Sequence, residues 1–364
     1  MSEVNVSNTT TASVGIKQNL EALPQLIPIG ILIILTNGLV FLLYYSRQSL
    51  RKAPNYLLLS LAVCDFLNGS LNITLFILAF IPVVQGATFI SLVCAVEVSH
   101  NFVAITAAGH IFLITAEKYL AVMRPFKYHV IKNRTMLLVI VGTWTISGVV
   151  AAAPISWFSK RRHRIPIGLI LETAFNVFCL LAVFLVPYTL IICAHVAMFK
   201  KVFQRRSQRN ILFRNKNSKI CKKKKNELKC LAIFATMATI FGVCWLPWFV
   251  LRLVFSLVGL RLITPNYDVI STCTHATVIA RYLTSVINPL LYTFFKQDFW
   301  RALKRMMLKL STKRLRNKSS STDSRPKRRS TKKLQVHSNQ SDCVEIPNVQ
   351  SCKQVRNPRS PQTV

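Results

Sequence analysis

Acidic residues are scarce in this chain: 12 Asp and Glu stand against 47 Lys and Arg in 364 residues, a formal net charge of +35. Charged residues of both signs make up only 16% of the chain, against 52% hydrophobic. So basic a balance ordinarily points to nucleic acid. Here the basic residues lie between or after long apolar runs, which sets nucleic acid aside and favours a charged membrane face. Residues 1–20 lack a basic start followed by an apolar core, so no cleavable signal peptide is expected and the first apolar span serves for insertion. The ten cysteines have no zinc-site spacing and make no disulfide framework. Cys221, Cys230, Cys343 and Cys352 fall in basic segments expected to face a reducing compartment. No nucleophile–base pairing is legible, which excludes an enzyme reading. Nothing alternates with the period of a barrel strand, so the apolar spans must be helical.

Seven such spans are present, each long enough for a hydrocarbon core of roughly 30 Å. They run from about Pro24 to Tyr45, Asn55 to Ile81, Phe89 to Val122, Met136 to Trp157, Ile167 to Phe199, Leu228 to Leu257 and Tyr267 to Phe295. The expected architecture is an all-α membrane protein, a seven-helix bundle over 24–295. Lys and Arg in the short loops orient it. Arg47, Arg51, Lys52, Arg124, Lys127, Lys132, Arg134 and the run from Lys200 to Lys229 share one side with the basic tail, and that side is expected to be cytoplasmic. The amino-terminal segment, 1–23, is then outside, where Asn5 and Asn8 form glycosylation sequons. After the last span, 296–310 reads as an amphipathic helix on the inner membrane surface. The basic remainder, 311–364, reads as disordered. Lys222 to Lys225 and Arg325 to Arg329 are expected to attract anionic membrane lipids.

Polar and kinking residues occur once per helix in a particular order. They are Asn37-Gly38, Leu61-Ala62-Val63-Cys64-Asp65, Glu117-Lys118-Tyr119, Trp144, Pro187, Cys244-Trp245-Leu246-Pro247 and Asn288-Pro289-Leu290-Leu291-Tyr292. This set resembles the rhodopsin-like (class A) G-protein-coupled receptors across about residues 20–310, with amine-receptor-like sixth and seventh helices. The resemblance implies a plasma-membrane receptor that binds a small extracellular ligand and engages a heterotrimeric G protein. It also implies a sodium ion held by Asp65, Ser285 and Asn288, although Ala107 stands where relatives place an oxygen ligand. Arg281 has two open roles: neutralising Asp65 in place of sodium, or pairing with Glu97. No retinal is expected, because Tyr282 stands roughly where an opsin has its lysine.

The implied switch comprises Glu117, Lys118, Tyr119, Glu227, Asn288, Pro289 and Tyr292. Lys118 stands where relatives carry Arg, and an ammonium lacks the planar fork of a guanidinium. The alternative is therefore a seven-helix binding or scaffold protein with little G-protein activation. A channel or transporter is the remaining competitor. The implied pocket comprises Glu97, His100, Asn101, Trp245, Trp248, Phe249, Arg252, Arg281 and Tyr282. His100, eighteen residues before Lys118, stands where amine receptors carry an Asp. An anionic or neutral ligand is therefore expected, with substitution by Glu97 as the competing route for an amine. Lys160, Arg161, Arg162 and Arg164 form a basic second outer loop, either a field for anions or a solvated surface. That loop has no cysteine to pair with Cys94, so the disulfide usual in relatives is expected to be absent.

Overall fold

Uninterrupted apolar sequence becomes helix here because a backbone in hydrocarbon can satisfy its polar groups only within itself. The computed structural model describes residues 2–79, 84–129, 133–212, 218–264 and 266–322, with side chains omitted at 2–23, 129, 206–212, 218–227, 310 and 313–322. Seven of its helices are long and apolar enough to cross a membrane. They are α1 (Ser2–Ser46), α2 (Ala53–Leu67, continued by Asn68–Asn72 and Ile73–Ala79), α3 (Gly86–Met123) and α4 (Asn133–Ala152). Then come α5 (Pro166–Phe178, continued by Cys179–Leu185 and Val186–Leu212), α6 (Ser218–Gly259) and α7 (Tyr267–Phe295). A further helix, α8, runs from Gln297 to Thr322, and a short one, Ile155–Arg162, lies between α4 and α5. No strand occurs among the described residues.

Local chemistry explains the irregularities. The Asn266 side chain accepts from the Asp268 and Val269 backbone N–H groups at 3.0 and 3.3 Å, capping α7. Pro187 has no N–H and would clash with the Val183 carbonyl, and the turn before it widens to a π-helix over Cys179–Leu185. That wider turn carries Cys179, which lines a cavity described below. Pro247 and Pro289 lie inside α6 and α7.

The helices outrun the expected spans on the basic side. α5 continues to Leu212 and α6 begins at Ser218, because Lys, Arg and Gln remain good helix formers beyond the apolar stretch. For the same reason α8 extends past residue 310, so 311–322 is helical and not disordered. Residue 24 is not a break either, since Pro24 and Pro28 both lie within α1. Residues 1–312 form one compact unit and 313–364 another.

The core of the first unit holds Leu58, Leu61, Ile111, Phe241, Trp245, Phe249 and Tyr292, while Leu35, Leu138, Val149 and Val243 face outward. Small residues set the closest helix approach. A Cβ on Gly69 would lie 2.7 and 2.8 Å from Ile33 carbons and 3.3 Å from the Gly30 carbonyl. Gly69→Val is expected to force α1 and α2 apart at about 1–3 kcal/mol, read as a lower melting temperature in detergent; an unchanged melt would contradict this packing.

Candidate functional site

At the Arg161 end of the bundle, α3, α6 and α7 bring His100, Trp248, Arg281 and Tyr282 into one cluster. Arg281 is 2% exposed. Its guanidinium stacks 4.1 Å from the Trp248 ring centroid and 4.8 Å from that of Tyr282. Its Nη2 lies 3.3 Å from Nδ1 and 3.2 Å from Nε2 of His100. Arginine only donates. A neutral His100 that accepts at Nδ1 leaves its Nε2–H to donate to the Tyr282 oxygen at 3.1 Å. Among the described residues no carboxylate lies within ion-pair reach of Arg281, and its Nε is buried without a partner. Both expectations for Arg281 therefore fail. Asp65 is served by other groups and Glu97 is taken by other arginines.

Glu97 belongs to a closed ring of four alternating charges. Arg161, from the loop helix, grips it with both terminal nitrogens, one of them at 2.7 Å. Arg161 also reaches Glu172 at 3.1 Å. Arg252 of α6 lies 2.9 Å from Glu97 and 3.0 Å from Glu172. Trp157 Nε1 donates to Glu172 Oε2 at 2.9 Å, and Asn176 Nδ2 donates to Glu172 Oε1 and to the Arg252 carbonyl. Beneath the ring a cavity of about 10 Å³ is lined by Asn101, Asn176, Cys179, Trp248, Phe249 and Arg252. That is room for one water. Asn101 Nδ2 is buried without an acceptor. Cys94 is free.

In mid-bundle, Asp65 Oδ1 accepts from Ser285 Oγ at 2.7 Å and Oδ2 from Asn288 Nδ2 at 3.2 Å. Asn68 Nδ2 donates to Ser285 Oγ at 3.0 Å, and Asn37 Nδ2 to the Ser285 carbonyl at 3.0 Å. Thr284 donates to the Arg281 carbonyl and accepts from Trp245 Nε1 at 3.1 Å. A second relay joins α2, α3 and α4. His110 Nδ1 donates to the Thr106 carbonyl, so its Nε2 accepts from Ser60, whose oxygen accepts from Trp144 Nε1 at 2.8 Å.

At the opposite end Lys118 pairs with Glu117 at 2.5 Å and lies 4.8 Å from the Phe234 ring centroid. Tyr128, in the short helix Pro125–His129, donates to the same carboxylate at 2.5 Å. Burial and that bond push the Tyr128 phenol well above its ordinary pKa. Lys296 donates to Asn55 Oδ1 and sits 5.3 Å from the Phe299 centroid, while Tyr292 packs on Phe299. His195 donates from Nδ1 to the Ile191 carbonyl at 2.9 Å. Tyr119 is half-buried. The side chains of Glu227, Asn5 and Asn8 and of the basic runs at 222–225 and 325–329 lie outside the described residues.

The family model for "7 transmembrane receptor (rhodopsin family)" matches residues 36–292. The chain belongs to this family. It is therefore a G-protein-coupled receptor and not an enzyme. It is similar to the human 5-hydroxytryptamine receptor 1E, 26% identical over 84% of this chain and 98% of that protein. The octopamine receptor beta-2R of Chilo suppressalis is 24% identical over 77% of each chain. The tachykinin-like peptides receptor 86C of Drosophila melanogaster is 25% identical over 58% of this chain and 44% of that protein.

In this rhodopsin-family receptor several residues that sequence reading did not single out join the clusters described above. Glu172 had a visible signal, a carboxylate inside an apolar span. Arg161 was noted only as one of a basic loop cluster; nothing in that run marks it as the one turned inward. Tyr128, Asn55 and Lys296 carried no distinguishing signal: Asn55 and Lys296 pair across 241 residues, and Tyr128 reaches Glu117 only because the short helix Pro125–His129 turns it back. Burial, and then the positive charge of Lys118, pull Lys296 from 10.5 to about 8. The folded receptor thus binds fewer protons here than the unfolded chain between roughly pH 8 and 10, so stability rises with pH across that window. Detergent melts at pH 7.5 and 9.5 are expected to show this rise, and Lys296→Met to flatten it; the same slope in both proteins would exclude Lys296 as its source.

Proposed function

We propose that this receptor binds a small anionic or neutral ligand, with an organic acid favoured over a protonated amine, and relays that binding to a cytoplasmic G protein. The observation that carries the reading is Arg281, a buried cation with no carboxylate in ion-pair reach among the described residues. Stacking on aromatic rings offsets about 2 kcal/mol when desolvated. Burying an ion takes several kcal/mol. A ligand carboxylate would supply the missing countercharge, and Asn101 Nδ2 would supply a further donor. Relatives named for amines pull the other way. This chain, however, has His100 where amine receptors carry an Asp, and Glu97 is engaged by two arginines.

The topology proposed with this function puts the amino terminus outside the plasma membrane, with Asn5 and Asn8 as glycosylation sites. The basic inner segments would lie against anionic lipid. Asp65, Ser285 and Asn288 would hold a sodium ion. Asn288 Oδ1 is buried without a partner and is free to join the Asp65 carboxylate as an oxygen ligand. The ion would neutralise that carboxylate. Opening of the Lys118 end would follow outward movement of α6 at its Pro247 kink.

Lys118 favours one second reading, a receptor-like binding protein with weak G-protein activation. Its single ammonium holds Glu117 without the second bond that a guanidinium fork would make. Lys118→Arg is expected to raise basal G-protein signalling; no change across the G-protein classes would favour the second reading.

Parallel screens of organic acids and amines test the ligand class. Arg281→Gln is expected to weaken an acid's potency on the order of a hundredfold with surface expression retained. Activation of the unaltered receptor by an amine, insensitive to Arg281→Gln and lost in Glu97→Gln, would overturn the proposal.

A further inference from the structure

The ring of Glu97, Arg161, Glu172 and Arg252 is neutral as a whole, and each carboxylate touches both guanidiniums. Three members come from spanning helices. Arg161 alone comes from the loop, and several features hold it there. Gly168 packs so closely that a Cβ would lie 2.5 Å from the Arg161 backbone nitrogen. Arg164 turns the chain with φ 54°, a left-handed conformation unusual for a residue with a side chain. The Arg161 guanidinium also lies 5.1 Å from the Phe158 centroid. No disulfide shares the task, because Cys94 is free.

We propose that Arg161 is a specificity-determining residue, which masks the Glu97 carboxylate from protonated amines while latching the second outer loop over the pocket. The inference rests on the acid-favouring reading above. Counting charges gives the reason. With Arg161 present, an ammonium could reach Glu97 only by displacing a guanidinium and leaving it unpaired in a part-buried site, which disfavours the amine. Without Arg161, two carboxylates share Arg252 alone, and one negative charge is left without a counter-ion. Arg281 does not supply it, since it makes no ion pair with either glutamate. A protonated amine would. The loop helix would also lose its only ionic hold on α3 and α5 among the described residues, opening the cavity wall at Cys179, which is 6% exposed and lies under the ring.

The test uses the full-length receptor with Cys94→Ser and Cys273→Ser, so that a membrane-impermeant thiol reagent added outside reports on Cys179. Cys179→Ala supplies the blank. 5-Hydroxytryptamine and octopamine serve as amine probes. Arg161→Ala is expected to speed Cys179 labelling about tenfold and to raise amine affinity by about tenfold or more. Arg161→Lys, which keeps the charge, should remain near the starting receptor in both measurements. Arg161→Ala combined with Glu97→Gln should label quickly but lose the gained amine affinity. Arg161→Gln carries the same expectations as Arg161→Ala and replaces it if that variant does not reach the cell surface.

Unchanged Cys179 labelling in a surface-expressed variant would overturn the latch. Faster labelling without gained amine affinity, or a gain that survives Glu97→Gln, would overturn the specificity role. Acid binding to the unaltered receptor with either result leaves the acid-favouring reading standing. Tight amine binding to the unaltered receptor would overturn both.

Discussion

A polar group inside a membrane bundle has no bulk water to turn to, so it finds a partner on another helix or it strains the fold. Asp65 shows how much of this receptor hangs on that constraint. Its two oxygens accept from Ser285 and Asn288 on α7. Asn37 on α1 and Asn68 on α2 converge on the same Ser285. One carboxylate thus gathers three helices at mid-bundle and fixes how α7 is rotated about its axis. That rotation turns Arg281 and Tyr282 toward His100, about one turn above, and Tyr292 toward Phe299 below.

The two ends solve the same electrostatic problem in different ways. At one end, Glu97 and Glu172 are matched by Arg161 and Arg252 in a ring whose charges cancel. Just inside that ring Arg281 has, among the described residues, aromatic faces and an imidazole, a set that stabilises a cation without neutralising it. At the other end, Glu117 is shared by Lys118 and the Tyr128 hydroxyl. Tyr128 thereby fills acceptor capacity that a compact ammonium leaves open. The satisfaction of these groups is unequal, complete around Glu172 and incomplete around Arg281.

Much of the arrangement was legible from residue order. The last span was read as Tyr267 to Phe295 and forms a helix with those bounds, because its start carries a capping Asn266 and its end meets the amphipathic α8. Asp65, Ser285 and Asn288 were grouped by the family resemblance, and their side chains are hydrogen-bonded to one another through the Asp65 carboxylate. The roles offered for Arg281 were both wrong, since each nearby carboxylate has better partners. Glu172 was visible as a charge in an apolar stretch, yet its partners lie on a loop and on α6. The helical stretch 311–322 was misread because a composition poor in apolar residues was taken as a sign of disorder, although its basic residues also favour helix.

Sequence by itself determined that seven helices cross a membrane, which end is basic, where prolines interrupt them and which spans carry costly polar groups. Those are properties of segments: apolar length, loop charge and missing N–H groups act locally, whatever the neighbours. Only the tertiary structure decided that Arg161 turns inward, that Glu97 is occupied, and that Arg281 is enclosed with no carboxylate beside it among the described residues. Ion pairing depends on distances of about 3 Å between atoms scores of residues apart, as between Arg252 and each of Glu97 and Glu172. A rotation of one helix redistributes those partners without changing a single residue of the sequence.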